Sequence, residues 1–172
     1  MPNLRRLQIS LDSKAVLSPL LDLDNLESLS VLTTPFPDFF TKTKSENITG
    51  LQLNVSGLAS LDAISRFQGL KSLTLSEFSA EKPGDLSSLE HLAQLSFRRC
   101  QFQSLDGIQR LSSLQELTLQ EVQVSDPSAL AECAKLRVLT VSQNQKDLIK
   151  YAQALKGVRL RVVGSGLRRV LG

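Results

Sequence analysis

The stretch LSSLQELTL, residues 111–119, changes its hydrophobic period part of the way along. Leu111, Leu114 and Leu117 are spaced three residues apart, whereas Leu119 follows Leu117 after only two. A spacing of two places Leu117 and Leu119 on one face of a short β-strand. A spacing of three aligns the earlier leucines along one edge of a 3₁₀ helix, because the 3.6-residue turn of an α-helix would rotate them out of line. The stretch therefore predicts a short arm that leads into a strand.

This pattern recurs every 22 residues, in three columns of apolar side chains that begin at an anchor residue and continue three and five residues after it. The columns are Leu4, Leu26, Ile48, Leu70, Leu92, Leu114 and Leu136; Leu7, Leu29, Leu51, Leu73, Leu95, Leu117 and Leu139; and Ile9, Val31, Leu53, Leu75, Phe97, Leu119 and Val141. With 41% hydrophobic residues in the chain, chance would make all of these positions apolar only about once in 10⁸. A single repeat cannot bury its apolar side alone, so the pattern predicts a stacked solenoid with one continuous core.

Four segments resemble the LxxLxL core of the leucine-rich repeat family: LKSLTL, LAQLSF, LQELTL and LRVLTV. The resemblance spans roughly residues 4–145, and the repeat length is similar to that of internalins and of a phosphatase-regulating leucine-rich repeat protein. It implies an α/β solenoid of horseshoe shape. A parallel sheet would form the concave side, short 3₁₀-like arms would form the convex side, and the segment after the repeats would close the end.

The segment QKDLIKYAQALKG, residues 145–157, departs from the repeat and predicts an amphipathic α-helix. Leu148, Ala152 and Leu155 would lie on one face of this helix, and Gly157 would end it as the C′ residue.

The alternating VRLRVV, residues 158–163, predicts a last strand. We therefore divide the chain into seven leucine-rich repeats at 1–144 and a C-terminal cap of helix, strand and basic tail at 145–172. Only three residues precede Leu4, so we expect the first repeat to be covered by a second chain or to continue in a longer protein.

Eight residues after each anchor, the family usually has an asparagine whose amide satisfies backbone groups at the turn. The residues at this position are Asp12, Thr34, Ser56, Phe78, Cys100, Val122 and Asn144. Only Asn144 matches, so a regular asparagine ladder is missing.

Few residues are suited to catalysis or to binding a metal. His91 is the only histidine, which leaves no partners for a zinc site or a catalytic triad. Cys100 and Cys133 are too few for a disulfide scaffold and are expected to be small buried fillers. We therefore predict no catalytic residue, no cofactor and no metal. No signal peptide is evident, which favours the cytoplasm and leaves export as an effector open.

The exposed positions of the concave sheet are mostly small and polar and include no aromatic residue, which is typical of a modest, polar interface. The candidate partner-binding residues are Glu77, Gln94, Arg98, Arg99, Glu116, Thr118 and Glu121. In an alternative interpretation, Glu77, Arg99 and Glu121 form a ladder of ion pairs across adjacent repeats with no function.

The resemblance implies a non-catalytic module that binds another protein on its concave face, as toxin-neutralising or effector-type binders do. Two alternatives remain open at this point. The basic C-terminal cluster could contact nucleic acid or an anionic membrane. It contains Lys146, Lys150, Lys156, Arg159, Arg161, Arg168 and Arg169. The chain could also be a structural segment of a larger protein or of a homo-oligomer joined through its first repeat.

Overall fold

The computed structural model describes residues 4–10, 25–32, 47–56 and 61–164. Within these ranges the strands are β1 Arg6–Ile9, β2 Ser28–Val31, β3 Gly50–Asn54, β4 Ser72–Ser76, β5 Ser79–Ala80, β6 Gln94–Arg98, β7 Gln101–Ser104, β8 Glu116–Gln120, β9 Gln123–Asp126, β10 Val138–Ser142 and β11 Arg159–Val163. The helices are the 3₁₀ helices Asp62–Arg66, Ile108–Arg110 and Ser128–Glu132 and the α-helix α1 Lys146–Gln153. Asp12, Thr34, Arg168 and Arg169, named above, lie outside these ranges.

The main sheet has eight strands in the order β1-β2-β3-β4-β6-β8-β10-β11. All of its strand pairs are parallel. From β1 to β10 each residue pairs with the residue 22 positions further along, as Leu95 does with Leu117. The 22-residue length of the sequence repeat therefore equals the offset between paired residues of neighbouring strands. The predicted parallel sheet of a leucine-rich repeat solenoid is confirmed.

The core consists of the three apolar columns together with the apolar residues of the arms. Leu73, Leu75, Leu117 and Leu119 have no exposed surface, and burying a leucine stabilises a fold by roughly 1.5–3 kcal/mol. Strands alternate faces, so the residues between these leucines point out to the concave surface.

The convex arms follow the predicted spacing of three. Three of the described arms contain a 3₁₀ helix. The arm after Gly84 makes two successive turns instead, in which Leu89 donates to the carbonyl of Leu86 and Leu92 to that of Leu89, both at 3.0 Å. The 3₁₀-like arms are thus confirmed.

A second parallel sheet, β5-β7-β9, runs along the repeats between the main strands and the arms, and the sequence analysis did not predict it. Its strands are only two to four residues long. Phe102 of β7 packs edge-on against Phe97 of β6, with ring centroids 4.9 Å apart, which ties the two sheets together.

The C-terminal cap contains the predicted helix and the predicted strand, but the helix is shorter than expected. It ends at Gln153, because the hydrogen bonding then changes to that of a 3₁₀ turn. The amides of Ala154 and Leu155 donate to the carbonyls three residues earlier, those of Tyr151 and Ala152, at 3.1 Å. Gly157 has a φ of 77°, so it is left-handed as expected. It belongs to the turn before β11, however, and assigning it as the C′ residue of the helix was wrong.

Candidate functional site

The predicted partner-binding residues lie on β6 and β8 or in the turns that follow β4, β6 and β8. On the concave face Gln94 and Glu116 are exposed and are register partners. The Gln94 Nε2 donates a 3.4 Å hydrogen bond to Glu116 Oε2. Thr118 is half-buried beside Ser96 on the neighbouring strand. The structure thus brings these residues into one polar patch in the middle of the sheet.

The three charged residues Glu77, Arg99 and Glu121, here called the ridge, occupy the turns directly after their strands. They have φ values of 62°, 51° and 55° and are the only non-glycine residues with positive φ in the described ranges. This left-handed conformation costs a side-chain-bearing residue about 1 kcal/mol relative to glycine. This conformation was not predicted from the sequence, because glutamate and arginine are not the residues that usually signal such a turn.

Inter-repeat hydrogen bonds fix the ridge in place. The amide of Glu77 donates to the Arg98 carbonyl at 3.0 Å, and the amide of Arg99 donates to the Gln120 carbonyl at 2.9 Å. The amide of Glu121 donates to the Ser142 Oγ at 2.9 Å. Each turn is therefore held by the next repeat along, and the three side chains project from a rigid backbone.

The ion-pair ladder expected along the ridge forms in part. Arg99 Nε lies 2.6 Å from Glu77 Oε1. No ion pair joins Arg99 to Glu121 in the part of the chain that the structure describes, because the guanidinium turns towards Glu77. Among the described residues the carboxylate of Glu121 is therefore left without a cation. The side chain of Arg98, whose register partner on β8 is Gln120, is exposed at the end of β6.

A groove of about 680 Å³ lies between the ridge and helix α1. Arg99, Glu121 and Asp147 contribute its charged groups, and Val122 and Leu148 are among its apolar walls. The sequence analysis did not identify this groove, because it depends on how α1 docks beside the last repeats.

The last turn is satisfied by the residue that follows the family's usual asparagine position. Asn144 is exposed, and the amide of its neighbour Gln145 takes the role. Gln145 Oε1 accepts a 2.6 Å bond from the Ser142 amide, and its Nε2 donates to the Val122 carbonyl. Ser142 is fully buried, so this side chain satisfies backbone groups that water cannot reach. Asn144 matches the family's usual residue by position, whereas the hydrogen bonds at this turn are made by the side chain of Gln145.

Both thiols are held in their neutral form. Cys100 takes the asparagine position in its repeat, where its Sγ donates to the Arg98 carbonyl at 3.3 Å, and burial raises its pKa. Burial, with a smaller contribution from Glu132, raises the pKa of Cys133 to about 11. Thiolates are the reactive form, so neither cysteine is primed for nucleophilic chemistry.

His91 is exposed. Among the described residues, no cluster of three or more histidine, cysteine, aspartate or glutamate side chains is placed to hold a metal ion. No helix in the described ranges is long and apolar enough to cross a lipid bilayer.

No family model matches this chain, and no curated protein matches it. Solved structures do match this chain. It is similar to an internalin (inlF) from Listeria monocytogenes, with 18% identity over 93% of this chain and 54% of that one and a TM-score of 0.54. A second match is internalin C2 (inlC2) from the same organism, with 20% identity over 82% of this chain and 73% of that one and a TM-score of 0.46.

The chain spans about half the length of the first of these internalins. At this level of identity the likeness concerns the fold. Together with the repeat in the sequence and the parallel sheet, it establishes that the chain is a leucine-rich repeat solenoid of the kind that internalins contain.

Proposed function

We propose that this chain is a non-catalytic module that binds a partner protein on the concave face of its main sheet and on the adjoining ridge. The observation that carries the proposal is the ridge itself. Three consecutive repeats hold a charged residue in a backbone conformation that favours glycine. Sparsely populated conformations of this kind concentrate at functional sites, binding sites among them.

The mechanism is the display of polar groups on a rigid backbone. Each ridge residue is bonded to the neighbouring repeat, so little backbone entropy is lost when a partner binds. The carboxylates of Glu121 and Glu116 and the guanidinium of Arg98 are charges that a partner can pair with directly. Gln94 and Thr118 add polar contacts next to them.

The chemistry of this surface predicts a partner of mixed charge. No aromatic anchor projects from the described concave positions, so the affinity should depend on charge pairs and shape more than on hydrophobic hot spots. Within this proposal, the partner could be a toxin that the module neutralises or the target of an effector. We propose the cytoplasm as the place where the module acts.

The test is affinity capture from the native lysate, with nuclease added, followed by mass spectrometry. The bait is compared with an Arg98→Glu/Arg99→Glu variant and with an Arg66→Glu/Arg110→Glu control. Both control residues end 3₁₀ helices on the convex side and are exposed, so the change in charge is matched.

We expect one stoichiometric protein that the control retains and the Arg98/Arg99 variant loses. A parallel capture is made without nuclease. Equal capture by both variants, or material that is captured only when nuclease is omitted, would contradict binding at the concave face. The second outcome would favour the nucleic-acid alternative.

A further inference from the structure

Strand β11 is the last described strand of the main sheet. In the described ranges no strand pairs with its outer edge. Val162 is the register partner of Val141 and faces the core in the same way. Val141 has no exposed surface, whereas Val162 is 49% exposed and Val163 is 36% exposed. A sheet edge that presents apolar side chains is a site where another chain can add.

The backbone of β11 presents hydrogen-bonding groups along this edge. The amide of Arg159 donates to the Arg137 carbonyl at 2.7 Å, and the Val163 carbonyl accepts from Gln143 at 2.8 Å. In a parallel pair, alternate residues bond to the same neighbour. The amides and carbonyls of Leu160 and Val162 therefore point away from β10, towards the side on which no described strand pairs.

The charged side chains of β11 are all positive. Arg159 and Arg161 alternate with Leu160 and Val162 and are exposed on the concave side, because they pair in register with Val138 and Thr140. Of the charged residues between positions 145 and 164, five are basic and only Asp147 is acidic. Neither Arg159 nor Arg161 has an ion-pair partner among the described residues.

A groove of about 560 Å³ continues the positive charge from the start of β11. Lys135, Arg137 and Lys156 line it together with apolar Leu155 and Val158. This groove and strand β11 are here called the C-terminal edge.

We propose that the C-terminal edge binds an extended segment of a partner protein in which acidic and apolar side chains alternate. The backbone of the segment pairs with Leu160 and Val162, as in other cases of strand addition. Its apolar side chains cover Val162, and its acidic side chains contact Arg159 and Arg161. This site is separate from the concave patch and the ridge, and it does not depend on the function proposed for them.

A strand fits these observations better than a nucleic acid. Phosphate binding would use the arginines but would leave Val162 uncovered and the outward backbone groups unused. Proteins that bind single-stranded nucleic acid usually add aromatic side chains on which bases stack, and β11 has none.

The test uses the full chain and a short synthetic peptide in which glutamate alternates with valine. A peptide with lysine in place of each glutamate is the control. Binding is followed by NMR, through the amide shifts of β11 compared with those of β6 and β8. We expect saturable shifts at β11 with the glutamate peptide, weakening as salt is added, and none with the lysine peptide.

Two variants separate charge from backbone pairing. Arg159→Glu/Arg161→Glu should weaken binding at least about tenfold through the loss of two charge pairs. Val162→Pro removes an outward amide, a change that edge strands tolerate, and should abolish binding. Arg6→Glu on the opposite outer strand β1 is the control and should leave binding unchanged. Circular dichroism melting of each variant checks that it folds.

Several results would overturn the proposal. These are the absence of shifts at β11, equal binding of the lysine peptide, and full binding by Val162→Pro. Displacement of the peptide by duplex DNA or by phosphatidylserine vesicles would reassign the edge to phosphate groups. A dimer seen by light scattering and lost in Val162→Pro would reassign it to a second copy of the chain.

Discussion

Val141 and Val162 are the same residue type at the same register position in neighbouring strands, yet Val141 is fully buried and Val162 is about half exposed. The difference arises from their neighbours, because Val141 lies between two strands and Val162 has a described strand on one side only. In this solenoid, burial is therefore supplied by the adjacent repeat more than by the residue's own segment. The middle of the sheet is fixed by packing, whereas apolar side chains of β11 stay partly exposed at the C-terminal edge.

The largest predicted effect breaks the packing in the middle. Leu117→Ala should lower the free energy of unfolding by about 3 kcal/mol, because it opens a cavity where the side chain is fully buried. Leu160→Ala, at the equivalent position of β11, should lower it by only about 1 kcal/mol. Urea denaturation of both variants measures the difference. Equal losses would mean that β11 is as well covered as β8.

The second prediction concerns the joint between the last repeat and the cap. Gln145→Ala should lower the free energy of unfolding by about 2 kcal/mol, because it leaves the buried Ser142 amide and the Val122 carbonyl without their partner. Asn144→Ala is the matched control and should be nearly neutral, since Asn144 is exposed. If thermal melting shows the larger loss for Asn144→Ala, the family's usual asparagine is functional after all.

These two predictions show where sequence reasoning succeeded and where it stopped. The apolar columns predicted the parallel sheet because the repeat length equals the register of its strands. Gln145 was missed because a neighbouring amide can satisfy the same backbone groups from a different position. The strands β5, β7 and β9 were missed because segments of two to four residues carry no clear period.

The sequence predicted which positions belong to the candidate site, but not the backbone conformation or the side-chain contacts of these residues. The spacing of 22 placed Glu77, Arg99 and Glu121 in adjacent turns, and the Glu77–Arg99 pair follows from that spacing. The side-chain conformation of Arg99 determines which carboxylate it pairs with, and hydrogen bonds to the next repeat hold the left-handed backbone. A local pattern of residues predicts neither feature.

A third, smaller effect concerns strain in the ridge. Glu121→Gly should raise the free energy of unfolding by about 0.5–1 kcal/mol, because glycine adopts the left-handed turn without steric conflict. Gln120→Gly, one residue earlier within β8, should lower stability instead. Chemical denaturation distinguishes the two, and destabilisation by Glu121→Gly would mean that its side chain makes a structural contact.

A further prediction concerns the dependence of stability on pH. Burial raises the pKa of Cys133 in the folded state to about 11, from the ordinary cysteine value of 9.0. Between these values the folded state binds more protons than the unfolded state, so stability should fall as the pH rises from about 9 to 11. Cys133→Ala should reduce this fall relative to the unmodified chain. A fall of unchanged size would assign it to other groups.

The rates of thiol labelling compare a cysteine in the middle of the solenoid with a cysteine near the cap. Cys100 is buried in the middle of the solenoid and Cys133 is half-buried near the cap. Both should react slowly at pH 8 because both pKa values are raised, and Cys133 should be the faster of the two. Faster labelling of Cys100 would contradict the packing described for the middle repeats.

The central claim is that the ridge keeps charged residues in strained turns because they bind a partner protein. The most direct measurement is affinity capture with the triple variant Glu77→Gly/Arg99→Gly/Glu121→Gly, which removes the side chains and leaves the turns in their preferred conformation. The account predicts a chain that is at least as stable as the original and has lost its partner. A stable triple variant that still captures the same partner in full would contradict it.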